Sequence, residues 1–311
     1  MTGGGRVLCL GEAMVSLRCR GRVRLGAPMT TSVAGAESNV AIGLARLGHA
    51  VAFAGAVGAD ELGALVVRTL RAEGIDVAGV RADQVRATGV MFREQRTSEV
   101  VHVDYVRAGS AGSAIDEDLV AVALASPPAV LHVSGITPAL SPSAASATAT
   151  ALRLARAAGV VTSLDVNYRH RLWSRTAAAA ALAPLLVDVD VLFASGDELA
   201  LVFPDGQVPP SAGGPGEVVV THGAKGAEAW AGSDHLHQPA AAVDAVDVVG
   251  AGDAFVAGYL SARIDGLDVA ARLQRGTAVA AVAVSTEGDW EGLPTRAELA
   301  AFAGDHGGTL R

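Results

Sequence analysis

The sequence predicts a doubly wound α/β fold, a mostly parallel sheet with helices on both faces and a small β-sheet projecting from it. Two patterns carry that reading. Short β-branched runs alternate along the chain with longer segments whose apolar residues recur at helical spacing. The runs are almost continuously apolar rather than alternating, as strands covered on both faces must be.

The strand candidates are "RVLCLGE", "AVAFAGAVG", "AVLHVSGI", "GVVTSLDVN", "VDVLFAS" and "EVVVTHG". In "ESNVAIGLARLGH", Val40, Leu44 and Leu47 line one helical face and Gly48 ends it. In "DELGALVVRTLRAEG", Asp60 is placed to cap a helix whose stripe is Leu62, Leu65, Val66, Thr69 and Leu70. Residues 12–34 and 86–108 break the rhythm: they have strand character with turns and no helix between them. They are expected to form a small antiparallel sheet serving as a lid over one α/β domain spanning 1–311. The Pro/Gly-rich stretch 204–217 reads as a surface loop, and the final residues are expected to fray.

Half of the 311 residues are hydrophobic, enough for a large core. The net charge of −8 argues against nucleic acid or an anionic membrane as the main partner and leaves small molecules or proteins. Cys9 and Cys19 form no CxxC pair, so neither a disulfide framework nor a structural zinc site is expected. The opening residues lack a signal peptide's apolar stretch, and the alanine-rich runs are broken before membrane-spanning length. A cytoplasmic protein is expected.

The stretch "VDVVGAGDAFVAGYL", residues 246–260, carries the chemistry. A strand-like run ends, glycines turn, and a helix begins near Asp253. Free N–H groups and the helix dipole at such a place favour an anion. Gly250 and Gly252 let backbone approach it, yet Asp253 would repel it. Either Asp253 merely caps the helix, or it is a base that deprotonates a hydroxyl while the backbone of Gly250, Ala251 and Gly252 steadies a migrating phosphoryl group. Neither GxxxxGK[ST] nor GxGxxG is present.

"DVVGAGDAFVAGYLSA" resembles the C-terminal signature of the ribokinase-like (PfkB) carbohydrate kinases, and "AGAESNVAIGLARLGHAVAFAGAVGADELG" their N-terminal one. Within that family, "GAESN", "YVRAGSAGSA", "LHVSGITPALSP", "SLDVNYRHRLWS" and "EGDWEG" are most similar to the kinases of 2-keto-3-deoxygluconate (KDG). The resemblance implies an ATP- and Mg2+-dependent sugar-acid kinase with a ribokinase-like fold, acting on the terminal hydroxyl of KDG with Asp253 as base. It implies a homo-oligomer, since small sheets of this family often pair between subunits.

The resemblance also implies site residues. On the sugar side these are Gly35 and Asn39 in the sugar-binding turn, Tyr105 and Arg107 from the lid, Asn167 and Arg169 past a strand end, and Asp289. A buried carboxylate substrate suits arginine, whose planar fork matches it with two hydrogen bonds. On the nucleotide side they are Thr221, Gly223, Lys225 and Gly226. Ser195 and Glu198 match an Asn-x-x-Glu segment that organises magnesium through water, and Asp247 a position for a monovalent cation such as K+. Departures are Ser195 in place of Asn, Met91 where close relatives present tyrosine, and Thr277 in place of an amide beside the adenine pocket. A neutral-sugar kinase such as a fructokinase, and a non-catalytic sugar-acid sensor, are the alternatives.

Overall fold

The computed structural model describes residues 5–97, 100–203, 205, 208 and 214–304. Most of the loop expected over 204–217 and the final residues therefore lie outside the described part.

The chain begins with β1 (Val7–Leu10), β2 (Met14–Arg20), β3 (Thr30–Ala34), α1 (Ala36–Arg46) and β4 (Val51–Gly58). Next come α2 (Glu61–Ala72), β5 (Asp76–Asp83), β6 (Val90–Gln95), β7 (Val101–Val106) and α3 (Glu117–Ala123). The middle holds β8 (Val130–Ser134), α4 (Pro142–Ala157), β9 (Val161–Asp165), α5 (Arg175–Leu182), β10 (Val191–Ser195) and α6 (Gly196–Val202). Last are β11 (Glu217–Thr221), β12 (Ala227–Ala231), β13 (Asp234–Gln238), α7 (Ala251–Ile264), α8 (Val269–Val284) and α9 (Arg296–Gly304).

Nine strands form one sheet in the order β13-β12-β11-β10-β9-β8-β1-β4-β5. Pairing is parallel from β5 to β11 and antiparallel through β12 and β13. All six sequence-predicted strands are present. The pleat sorts their side chains onto two faces. Val7, Cys9, Val191 and Phe193 join the core against α1, α7 and α8, where Leu44, Phe255, Tyr259 and Leu273 pack. Leu8, Leu10, Leu192 and Ala194 join the opposite core, with Ala151 and Leu152 of α4, Leu182 of α5 and Leu201 of α6. Every residue of β4 and β8 is buried, which is why those runs read as almost continuously apolar, with His132 and Ser134 the polar exceptions in β8.

Among the described residues, the other four strands form a separate sheet in the order β3-β2-β6-β7, drawn from the two stretches that broke the rhythm. It is mixed rather than antiparallel: β2 and β6, its central pair, run parallel. The chain leaves this sheet after β3, runs through α1, β4, α2 and β5 of the main body, and re-enters at β6 in the same direction. Met14, Ala34 and Met91 make its small core, so Met91 is packed rather than presented.

One side chain anchors the re-entry. Asp60 caps α2, accepting from the Gly63 N–H at 2.7 Å, and also accepts from the Thr88 N–H at 2.9 Å and the Thr88 hydroxyl at 2.7 Å. Desolvation raises its carboxyl, but these donors outweigh it and hold the group below its ordinary value. Asp60→Ala is therefore expected to lower stability by about 1–3 kcal/mol at neutral pH in urea unfolding. The deficit should shrink as pH falls through the lowered carboxyl value, because the wild-type contribution exists only while Asp60 is ionised.

Candidate active site

The carboxyl ends of β9, β10 and β11 come together by register. Asp165 pairs with Phe193, and Ser195 with Thr221, so three strand ends open on one side of the sheet. Asp165 ends β9 and accepts from Asn167 Nδ2 at 3.2 Å. Asn167 has φ 39°, the one positive value outside glycine among the described residues. Asparagine tolerates that region better than most residues. Arg169 follows, exposed at the mouth.

Ser195 and Glu198 form a capping box on α6: Glu198 Oε2 accepts the Ser195 N–H at 2.8 Å. Glu198 Oε1 also accepts the Tyr168 N–H at 2.6 Å, fixing the loop after β9. The motif thus has a local structural task, while both side chains remain beside the cavity.

Asp253 owes its position to helix packing. Gly43 of α1 lies so close to α7 that a Cβ there would stand 2.6 Å from Ala257 Cβ. One turn toward the N-terminus of each helix, Asn39 and Asp253 face each other the same way. Asn39 Nδ2 donates to Asp253 Oδ2 at 2.8 Å. Burial pushes the Asp253 carboxyl up to about 7 against the pull of that bond and of Arg169. Between the ordinary carboxylate range and this value, the folded chain holds a proton that the unfolded chain releases. This group's contribution to stability therefore falls as pH rises through that window.

Gly250 begins the helix with φ 77°, and a Cβ there would lie 2.0 Å from the Asp289 carbonyl oxygen. Gly252 is different. It is helical, and nothing lies within 4 Å of where its Cβ would be. Neither fold nor packing requires glycine there; what it leaves open is cavity.

Two cavities meet at this turn. One, of about 350 Å³, is polar and bounded by Asp165, Asn167, Arg169, Ser195, Glu198 and Gly250 through Asp253. The other, of about 490 Å³, is walled by small apolar residues, among them Ala241, Val243, Phe255 and Ala280, with Gly223, Gly226 and Thr277 at its edge. Thr221, Val248, Ala251 and Gly252 border both. The Thr277 hydroxyl donates back to helix carbonyls of Leu273 and Gln274, at 3.1 and 2.9 Å, and is occupied there. Lys225 is exposed and borders neither cavity, although its neighbours Gly223, Ala224 and Gly226 border the apolar one.

On the small-sheet side, Gly35 precedes α1, and its missing Cβ would meet the Glu12 carbonyl oxygen at 2.3 Å. Arg107 is buried rather than presented outward. It is ion-paired with Glu12, its Nε has no hydrogen-bond partner, and its guanidinium lies 5.3 Å from the Tyr105 ring centre. Tyr105 itself is half exposed. Burial raises the Glu12 carboxyl more than Arg107 lowers it. Asp289 is buried and pushed up to about 6 by desolvation, which Arg93 opposes.

Asp247 departs from expectation. Both its oxygens accept from Arg93 Nη2 at 2.6 Å, and it also accepts from the Val249 and Gly288 N–H groups. An arginine already supplies the positive charge expected of a monovalent cation, so the carboxylate is not left for one.

Sequence reasoning passed over Arg93, Glu12 and Asp165, and matched Glu37 to the sugar-binding turn without giving its carboxyl a role. Arg93 and Glu12 gave no local signal, since their partners are distant in sequence. Glu37 sits within the quoted "GAESN", and its buried carboxyl, raised by desolvation, accepts from Ser134 and Thr137 hydroxyls at 2.9 and 2.6 Å. Asp165 was visible two positions before Asn167. Its carboxyl is raised by burial and then by the charges of Glu198 and Asp253.

A sheet whose parallel strand ends, helix-opening turn and buried carboxylate converge on paired polar and apolar cavities defines a group-transfer enzyme of the ribokinase-like class. Residues 5–296 match the pfkB family of carbohydrate kinases, and the chain belongs to that family. It is 36% identical to the 2-dehydro-3-deoxygalactonokinase of Haloferax volcanii, over 97% of this chain and 98% of that one. It is 34% identical to the 2-dehydro-3-deoxygluconokinase of Bacillus subtilis, covering 87% and 86% of the two. The crystal structure of Fructokinase with bound ATP from Xylella fastidiosa superposes with a TM-score of 0.84 at 25% identity, covering 96% of this chain and 97% of that one. The protein is a carbohydrate kinase.

Two expectations follow from this geometry. If the buried Asp253 must be ionised to work, kcat/KM for the sugar should rise with pH through about 7 and level off above it. A profile flat from about pH 5.5 to 8 would contradict this. Gly252→Ala should leave the fold intact, or more stable by up to about 1 kcal/mol in thermal unfolding. The same change should cut turnover about tenfold or more, because the added methyl enters the cavity rather than the core.

Proposed function

We propose that this kinase transfers the γ-phosphoryl group of ATP to the C6 hydroxyl of KDG, giving 2-keto-3-deoxy-6-phosphogluconate, in the cytoplasm. The observation that carries the proposal is Asp253, buried at the start of α7 and hydrogen-bonded to Asn39, at the turn shared by a polar and an apolar cavity. The apolar cavity suits the adenine ring, and the polar one suits the triphosphate and the acceptor hydroxyl. Asp253 takes the hydroxyl proton as the oxygen attacks in line. Backbone N–H groups of Gly250, Ala251 and Gly252 receive the charge on the transferring group.

A divalent cation fits the polar cavity, because Asp165, Glu198 and Asp253 are close enough for their charges to raise the Asp165 carboxyl. Among the described residues, no three such side chains make a metal-ligating cluster. Mg2+ would thus be held chiefly by the nucleotide phosphates and water, with Glu198 and Asp165 as outer partners, and would offset phosphate charge when bound. This chain's own residues supply position, water exclusion and the base.

The acid end of the substrate would meet Arg107, whose Nε is buried without a partner, together with Arg169, while Asp289 would bond the substrate through the sugar's hydroxyls. Family members named for sugar acids at 34–36% identity support this choice. The pairing of Arg107 with Glu12 favours a second reading, a neutral sugar, since it offsets the arginine's charge. Assays of KDG, 2-keto-3-deoxygalactonate and fructose with MgATP decide between them. Turnover of either acid well above fructose is expected, and preference for fructose would overturn the acid assignment. Asp253→Asn should lower kcat about a hundredfold or more while largely keeping substrate affinity. Near-normal turnover would remove Asp253 from the mechanism.

A further inference from the structure

We propose that Arg93 is a positioning residue for phosphoryl transfer. From the small sheet it grips Asp247 and so holds the shape of the turn that opens α7. This rests on the reading of that turn as the phosphoryl-binding element.

Arg93 sits on β6, with its side chain only 6% exposed. Its Nη2 donates to both oxygens of Asp247 at 2.6 Å, and its Nη1 to Asp289 Oδ1 at 3.3 Å. Asp247 Oδ1 accepts the Val249 N–H at 3.1 Å, and Oδ2 the Gly288 N–H at 3.0 Å. Gly250 in turn rests against the Asp289 carbonyl, which would stand 2.0 Å from any Cβ added there. One guanidinium therefore fixes both the turn and the loop that backs it.

Charge makes the arrangement conditional. Asp247 is buried, and among the described residues Arg93 is its one cationic partner; without it the carboxylate must turn toward water or shift against its neighbours. Either response loosens its hold on the Val249 N–H, and with it the aim of the N–H groups that follow. Displacement on the order of 1 Å at a transferring group costs about a hundredfold in rate. Because Arg93 belongs to the small sheet, the turn is held only while that sheet is seated on the main body. Two other arginines of the sheet reach the same loop: Arg18 pairs with Glu291 at 2.6 Å and Arg20 with Glu287 at 2.8 Å. Neither pairs with Asp247 or with the turn itself, so they serve as controls for the seating of the sheet on that loop.

The test is steady-state kinetics of the full chain with MgATP and KDG. Arg93→Ala should lower kcat about thirtyfold or more, with KM for ATP changed less than about threefold, whereas Arg18→Ala should stay within about threefold of wild type in kcat. Arg93 borders an open cleft of about 460 Å³, so a small cation can reach the place its side chain leaves. Millimolar guanidinium should restore kcat of Arg93→Ala at least about fivefold, and urea should not. Arg93→Ala combined with Asp247→Asn, which removes the unpaired charge, should remain as slow as the single variant. If Arg93→Ala does not fold, the double variant and Arg93→Lys carry the test, with a slow double variant and an intermediate lysine expected.

Wild-type kcat in Arg93→Ala or in the double variant, or an equal loss in Arg18→Ala, would overturn the proposal. If the wild type prefers fructose, the acid assignment fails separately, and the same series run on fructose still decides the role of Arg93.

Discussion

Two helices that meet through a glycine set the terms for everything else in this molecule. Gly43 lets α1 lie against Ala257 of α7 with no side chain between them, and the next turn of each helix then carries Asn39 and Asp253 into hydrogen-bonding range. The helix ends so aligned also bring the Gly35 turn and the Gly250 turn to one side of the sheet. A bulkier residue at Gly43 would push the helices apart, and the acid would lose both its donor and its place beneath the cavity.

The electrostatics of the site follow from that burial. Asp165, Asp253 and Asp289 all have carboxyls raised by desolvation, and each is opposed by an arginine, Arg169 for the first two and Arg93 for the third. Burying several carboxyls within reach of one another costs stability, and the chain tolerates it where a phosphoryl group is to be moved. The apolar cavity next door needs no such compensation. Its walls are small side chains, in keeping with a chain poor in aromatics and rich in alanine.

Much of this was legible in the sequence because it depends on local pattern. Uniformly apolar runs marked the strands of a sheet covered on both sides, and Asp60 marked a helix start that the structure caps as expected. Gly250, Gly252 and Asp253 were visible because a tight turn, an open approach and a helix mouth all leave signs within a few residues. What depends on distant pairing was not visible. The parallel register of β2 with β6 arises from a long excursion through the main sheet, and no run of residues records it. Arg93 reads as an ordinary strand arginine until the fold brings Asp247 to it. Arg107 stood out by its neighbours, yet its pairing with Glu12 could not be read from either segment. Lys225 stood out as a lysine in a glycine turn, and the fold leaves it exposed next to Gly223 and Gly226, which border the apolar cavity.

The central claim concerns where one carboxylate lies relative to one hydroxyl. A crystal structure of the protein with KDG and a non-hydrolysable ATP analogue measures this directly. The account requires an Asp253 carboxylate oxygen within about 3.2 Å of the acceptor hydroxyl, or joined to it through one water, on the side facing the γ-phosphate. A structure with both ligands bound and the Asp253 carboxylate out of reach of that hydroxyl would contradict it.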